Sequence, residues 1–194
     1  FLRDFPKNEQ LVLPERLSKQ LLALAGFPVS VPVVAHTAMQ AADAAEAFGY
    51  PVALKVESYV IQHKTDVGGV RLGLQDRAAV KEAFLQMDSA MKRLDPSACV
   101  TVQPMAQSGF EVMLGAARLH DTPLMVAGMG GIYAEAFQDM AFRLAPLQEG
   151  QAERMLQSLR CAPVLNGFRT PPLDRAAFFE KIGLQTERDS VVFG

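Results

Sequence analysis

A chain of 194 residues, 49% of them hydrophobic, has enough material for one substantial core or for two small subdomains sharing a cleft. Its 19 Lys and Arg against 21 Asp and Glu leave a net charge of −2 with no long run of either sign, which excludes the electrostatic footprint of a nucleic-acid binder. Two cysteines form no disulfide framework, and the longest weakly charged apolar stretch, residues 123–137, falls short of the roughly 18 residues that a membrane helix needs, so a reducing, cytoplasmic setting without a membrane partner is expected. The start at Phe1, with no signal-like segment, is read as an excised piece of something longer.

Pro14 followed by Leu17, Leu21, Leu22 and Leu24 before Gly26 predicts a helix with an apolar stripe and a glycine stop. A strand is expected over residues 29–34. Thr37 with Gln40 three residues on is a capping box that opens an alanine-rich helix ended by Gly49. The strand after it puts Val52, Leu54 and Val56 on one face and Lys55 on the other, completing a strand-helix-strand unit. Val70, Leu72 and Leu74 alternate as a further strand, and Asp76 caps a helix whose Val80, Phe84, Met87 and Met91 line a core-facing side.

Beyond Pro96 the texture becomes β-rich, with strands expected over residues 99–105, 110–118, 123–127, 132–137 and 140–144. A helix follows over 148–160, a loop over 163–172 and a last helix over 173–182. The fold class is α+β, read as a two-layer α/β arrangement of two subdomains. Pro104 interrupts strand patterning between residues 102 and 107, so the subdomains are placed at 1–102 and 103–194.

Lys55 and the block His63-Lys64-Thr65-Asp66-Val67-Gly68-Gly69-Val70 carry the chemistry. A lysine on an apolar strand either has a partner or faces a polar cleft, where it can bind phosphate; an edge-exposed lysine is the plain alternative. Paired glycines let backbone amides approach a phosphate, and His63 can carry, donate or orient a phosphoryl group. Gly128-Met129-Gly130-Gly131 is a second glycine cluster, a phosphate-facing loop or a tight turn. Glu111, Glu135 and Asp139 are suitable hard oxygen ligands for magnesium, with a solvated turn as the alternative for each. Arg143 is either a phosphate partner or ion-paired to Asp139 or Asp66. His36 and His120 are expected as surface or loop histidines. Neither cysteine has a neighbour at ligand spacing, and no nucleophile elbow, P-loop or Rossmann fingerprint is present.

Taken in order, the segments Gly49-Tyr50-Pro51-Val52-Ala53-Leu54-Lys55, His63 through Val70, Val102-Gln103-Pro104-Met105, Gly128-Met129-Gly130-Gly131-Ile132 with Glu135 and Asp139, and Phe142-Arg143-Leu144-Ala145-Pro146-Leu147 resemble the ATP-grasp domain of the ADP-forming (NDP-forming) acyl-CoA synthetases. The resemblance runs over about residues 13–180. It implies an ATP-grasp fold that grips ATP or ADP between two antiparallel sheets, with Mg2+ as cofactor. Lys55 would hold the nucleotide phosphates, Gln103 to Met105 would meet adenine, Glu111 would lie near the ribose or adenine, and Gly130 and Gly131 would sit close to the phosphates. His63 matches the family's histidine that relays a phosphoryl group.

The reaction so implied interconverts acyl-CoA, phosphate and ADP with carboxylic acid, CoA and ATP. CoA-binding and ligase domains, or a subunit carrying them, would be the partners. The same module occurs in protein lysine acetyltransferases fused to a GNAT domain, which gives an alternative reading as a non-catalytic sensor of acyl-CoA or nucleotide. Two departures stand out. The family's Glu-x-Asp-x-Asn-Pro metal strand is absent after Leu165-Asn166-Gly167-Phe168-Arg169, and Asp121-Thr122-Pro123 replaces Phe-Gly-Pro. With Glu135 and Asp139 alone as metal ligands, this stretch by itself is expected to bind nucleotide weakly and not to turn over.

Overall fold

The computed structural model describes residues 13–61, 64–120, 122–131, 134–169 and 171–178. Two compact units divide the chain, Phe1–Gln107 and Ser108–Gly194.

The first unit is a four-stranded sheet in the order β1-β4-β2-β3, made by β1 (Val33–Ala35), β2 (Val52–Glu57), β3 (Val70–Leu74) and β4 (Cys99–Pro104), with every hydrogen-bonded pair antiparallel. Helices α2 (Ala38–Phe48) and α3 (Arg77–Met91) cover one face. Small Ala41, Ala42 and Ala45 let α2 approach closely, and Val80, Phe84, Met87 and Met91 of α3 fill the space against Val52, Leu54, Val56, Val100 and Val102. Both helices start where side-chain caps are available. Thr37 Oγ1 accepts the Gln40 N–H at 3.1 Å, and Asp76 Oδ1 accepts the Ala79 N–H at 2.9 Å. The return bond of the expected capping box lands one residue early, Gln40 Oε1 accepting from the His36 N–H at 2.8 Å.

Period-two alternation then decides the other face. Because Val52, Leu54 and Val56 point into the core, Ala53, Lys55 and Glu57 point away from it, and the register Ala53↔Gln103, Lys55↔Thr101 and Glu57↔Cys99 gives β4 the same face. Helix α1 (Glu15–Leu24) is tied to that face through polar side chains: Arg16 to Glu57, Glu15 to Lys55 and Lys19 to Gln103. This corrects the expected apolar role of α1. Of its leucines only Leu17 is buried, while Leu24 is 78% exposed. The strand expected over residues 29–34 starts only at Val33, immediately after Pro32, which has no N–H to give a ladder.

In the second unit β5 (Val112–Leu119), β6 (Thr122–Met129) and β7 (Met140–Leu144) form an antiparallel meander. Met125, Ala127 and Ala141 pack against Met155 and Leu156 of α5 (Gln151–Gln157) and Leu165 of α6 (Ala162–Leu165). The strand expected over 132–137 is instead the short helix α4 (Ala134–Phe137), with Ile132 and Tyr133 outside the described residues. Gly131 at φ +65° turns the chain off β6 into Ala134, Glu135 and Ala136, which favour helix over strand. The loop expected over 163–172 opens inside α6, because Pro163 occupies an early helical position where a missing N–H costs nothing. Residues 175–178 begin the expected last helix; the remainder of it lies outside the described residues. No helix among the described residues is long and apolar enough to cross a membrane.

Candidate functional site

On the face of the first sheet that carries α1, Lys55 Nζ lies 2.9 Å from each carboxylate oxygen of Glu15. The Lys55 carbonyl accepts a 3.0 Å bond from Thr101 Oγ1, which pins the strand locally. Lys19, one turn beyond Glu15 on α1, reaches Glu15 Oε1 at 2.9 Å and Gln103 Oε1 at 2.9 Å. Gln103 is only 7% exposed, so its amide needs such a partner. Two ammonium groups thus share one carboxylate. Burial opposes the charged form of Glu15, but hydrogen bonds from Lys19 and Lys55 and the charges of both outweigh it and hold the carboxyl down at about 2. Met105 follows at the end of β4, with its N–H donated to the Pro51 carbonyl at 3.2 Å.

Lys55 and Gln103 were singled out from sequence, and the fold brings them to one face. Glu15 and Lys19 were not. Their signal was present as an acid and a base four apart on the polar side of a leucine-bearing helix, a pattern that ordinarily marks a solvated helix surface.

His63 lies outside the described residues, as does Gln62. Around them, Gly68 donates its N–H to the Thr65 carbonyl at 3.1 Å and Gly69 to the Lys64 carbonyl at 2.6 Å. Their amides therefore close a turn rather than standing free, which corrects the expectation that this glycine pair offers N–H groups to a phosphate. Gly69 is required for a different reason: a Cβ there would lie 2.9 Å from the Lys64 carbonyl oxygen.

In the second unit Glu111, Gly130 and Gly131 do come together. Gly130 donates its N–H to the Glu111 carbonyl at 2.8 Å, and a Cβ on Gly131 would meet the Glu111 carboxylate at 2.5 Å. The glycines are spaced for their own chain at least as much as for a ligand. Glu135 falls in α4, its side chain outside the described part.

Asp139 is 7% exposed, and its two carboxylate oxygens accept the N–H groups of Arg160 at 2.8 Å and Cys161 at 2.7 Å. Burial pushes this carboxyl up and the two backbone donors more than offset it, so it titrates below the usual range. That is a clamp on the turn between α5 and α6, and it corrects the expected magnesium role of Asp139. Burial, with Asp139 beside it, pushes the Cys161 thiol up to about 12, so this cysteine is an inert packed group. Arg143 donates to the Phe142 carbonyl at 2.6 Å, and neither ion pair expected for it is among the described contacts. His36 and His120 are exposed, as expected.

The family described as the ATP-grasp domain matches residues 4–183. The chain belongs to the ATP-grasp domain family. Within it, this ATP-grasp domain is homologous to ADP-forming acetate–CoA ligases. It is similar to acetate–CoA ligase (ADP-forming) II of Archaeoglobus fulgidus, at 33% identity over 94% of this chain and 27% of that protein. It is also similar to the beta subunit of acetate–CoA ligase (ADP-forming) I of Pyrococcus furiosus, at 34% identity over 84% of this chain and 71% of that subunit.

Among solved structures, the dinucleotide forming acetyl-coenzyme A synthetase 1 of Ca. Korarchaeum cryptofilum, in complex with coenzyme A, Ca-AMPCP and HgCl+, superposes with a TM-score of 0.81 at 32% identity, covering 90% of this chain and 79% of that one. A complex of the same protein with coenzyme A and Mg-AMPPCP, its phosphohistidine segment pointing towards the nucleotide binding site, gives 0.73 at 30% identity, covering 87% and 74%. The chain spans about a quarter of the length of the Archaeoglobus ligase.

Proposed function

We propose that this domain binds ATP or ADP in an ADP-forming acyl-CoA synthetase and that His63 carries the phosphoryl group exchanged with the nucleotide. The observation that supports it most is the partly buried Lys55, aimed from β2 at a face that also bears Gln103 and Lys19. Two ammoniums against one carboxylate leave a surplus positive charge there, and a nucleotide polyphosphate supplies the missing negative charge. The phosphohistidine segment named in the Korarchaeum complex supports His63 as the carrier.

A neutral imidazole is nucleophilic near pH 7. Its ring nitrogen attacks the γ-phosphorus of ATP, the bond from that phosphorus to the β,γ-bridging oxygen breaks, and ADP leaves with the electron pair. The phosphoimidazole then passes its group to the carboxylic acid, and the resulting acyl phosphate yields to the CoA thiol with release of phosphate. Lys55 stabilises charge on the polyphosphate as the bridging bond breaks. CoA-binding and ligase domains, or a subunit carrying them, would hold the acyl and CoA sites.

Magnesium fits the described residues poorly. Asp139 is occupied as a clamp, and no group of three or more His, Cys, Asp or Glu among the described residues is placed to hold a metal. No observation favours the acetyltransferase alternative.

The test is turnover of the full-length protein with ATP, CoA and a panel of short carboxylic acids. ADP and phosphate in equal amounts, with at least a tenfold drop for Lys55→Met on the scale of one lost charge-assisted phosphate contact, is the expected result. Production of AMP and pyrophosphate, or native turnover by the Lys55 variant, would remove the reading.

A further inference from the structure

Lys19 and Glu15 tie α1 to the sheet, and their geometry exceeds what a tie requires. Arg16 and Glu57 already hold α1 to the sheet by a fork of bonds, Nε and Nη2 of the guanidinium both within 3.0 Å of one carboxylate oxygen. Lys19 adds a single bond to the sheet, to Gln103 Oε1 at 2.9 Å. Its ammonium shares Glu15 with Lys55, and among the described residues neither lysine has another ion-pair partner.

An ammonium has three donors. Lys19 spends one on Glu15 Oε1 and one on Gln103 Oε1, and Lys55 spends two on the Glu15 oxygens. Among the described residues each has one N–H with no acceptor, and the side chains are 26% and 25% exposed, open enough for a ligand and closed enough to weaken screening by water. Glu15 is 31% exposed and bridges the pair, so both ammoniums are kept at a fixed separation across one carboxylate.

We infer that Lys19 is a second polyphosphate-binding cation, acting beside Lys55, and that Glu15 is the positioning residue that holds the two ammoniums as a pair. The ligand class is the polyphosphate of a nucleoside di- or triphosphate, and the inference rests on the nucleotide reading above. Helix α1 then forms part of the binding site, and Gln103 both orients Lys19 and stays satisfied through it.

The measurement is titration calorimetry on the full-length protein with ATP, adenosine and inorganic tripolyphosphate, comparing native protein with Lys19→Met and Lys19→Arg. ATP and tripolyphosphate should each bind Lys19→Met about tenfold more weakly, the worth of one charge-assisted contact, while adenosine affinity stays unchanged. Lys19→Arg, which keeps the charge, should restore most of the loss and covers the case in which the methionine variant does not fold. The salt dependence of ATP binding should also flatten in Lys19→Met. Equal ATP affinity in native and Lys19→Met protein overturns the inference while the nucleotide reading stands. Equal losses for ATP and adenosine overturn it too, by making Lys19 a structural residue. Native protein that binds tripolyphosphate through Lys19 but shows no gain from the nucleoside keeps the cation pair and removes the nucleotide reading.

Discussion

Glu15 sets the electrostatics of the lysine face, and its titration has a consequence for stability. Its folded-state pKa, about 2, lies below the ordinary 4.5, so between those values the unfolded chain binds more protons than the folded one. The stability it contributes is complete above about pH 4.5 and is lost as pH falls towards 2. Urea midpoints of the native chain should therefore drop through that window, and Glu15→Gln should drop less steeply; parallel curves for the two proteins would remove Glu15 from the acid sensitivity.

Gly128 makes a second residue-scale demand. A Cβ there would sit 2.4 Å from the Asp139 carbonyl oxygen, which is backbone and cannot swing aside. Gly128→Ala should cost on the order of 1–3 kcal/mol by forcing β6 and β7 apart, read as a lowered denaturation midpoint, and an unchanged midpoint would contradict the close approach.

At the scale of elements, legibility followed the strength of local chemistry. The starts of α2 and α3 were readable because Thr37 and Asp76 are cap residues followed by uninterrupted helix formers, and both side chains make the bonds that the sequence implied. Asp76→Ala should accordingly lower stability by about 1 kcal/mol with the sheet intact by circular dichroism, whereas a neutral substitution would show the cap to be ornamental. β2 and its two faces were readable from period-two alternation, which fixes side-chain direction without tertiary information. The short helix α4 was not, since residues 132–137, apolar but for Glu135 and with β-formers at their start, fit a strand until Gly131 at positive φ breaks the ladder. Nor was the burial of α1, where three polar bonds to Glu57, Lys55 and Gln103 take the place of a leucine stripe. Asp139 misled for the same reason. A carboxylate near a glycine loop looks like a metal ligand until the turn whose N–H groups it accepts, 21 and 22 residues later, is known.

For the molecule as a whole, the family was legible because glycine, lysine and histidine blocks occur in a fixed order along the chain, and the match over residues 4–183 bears that out. The division of labour expected in the complete protein follows from size. The chain covers 27% of the Archaeoglobus ligase and 71% of the Pyrococcus beta subunit, so in the proposed reading the acyl and CoA chemistry falls to further domains or a partner subunit. The central claim is that a phosphoryl group passes between nucleotide and His63. Incubation of the full-length protein with γ-labelled ATP and magnesium, followed by acid treatment, tests it most directly. The account predicts a protein-bound label that is acid-labile and absent from His63→Ala; a label that persists in that variant, or no label on the native protein, would contradict it.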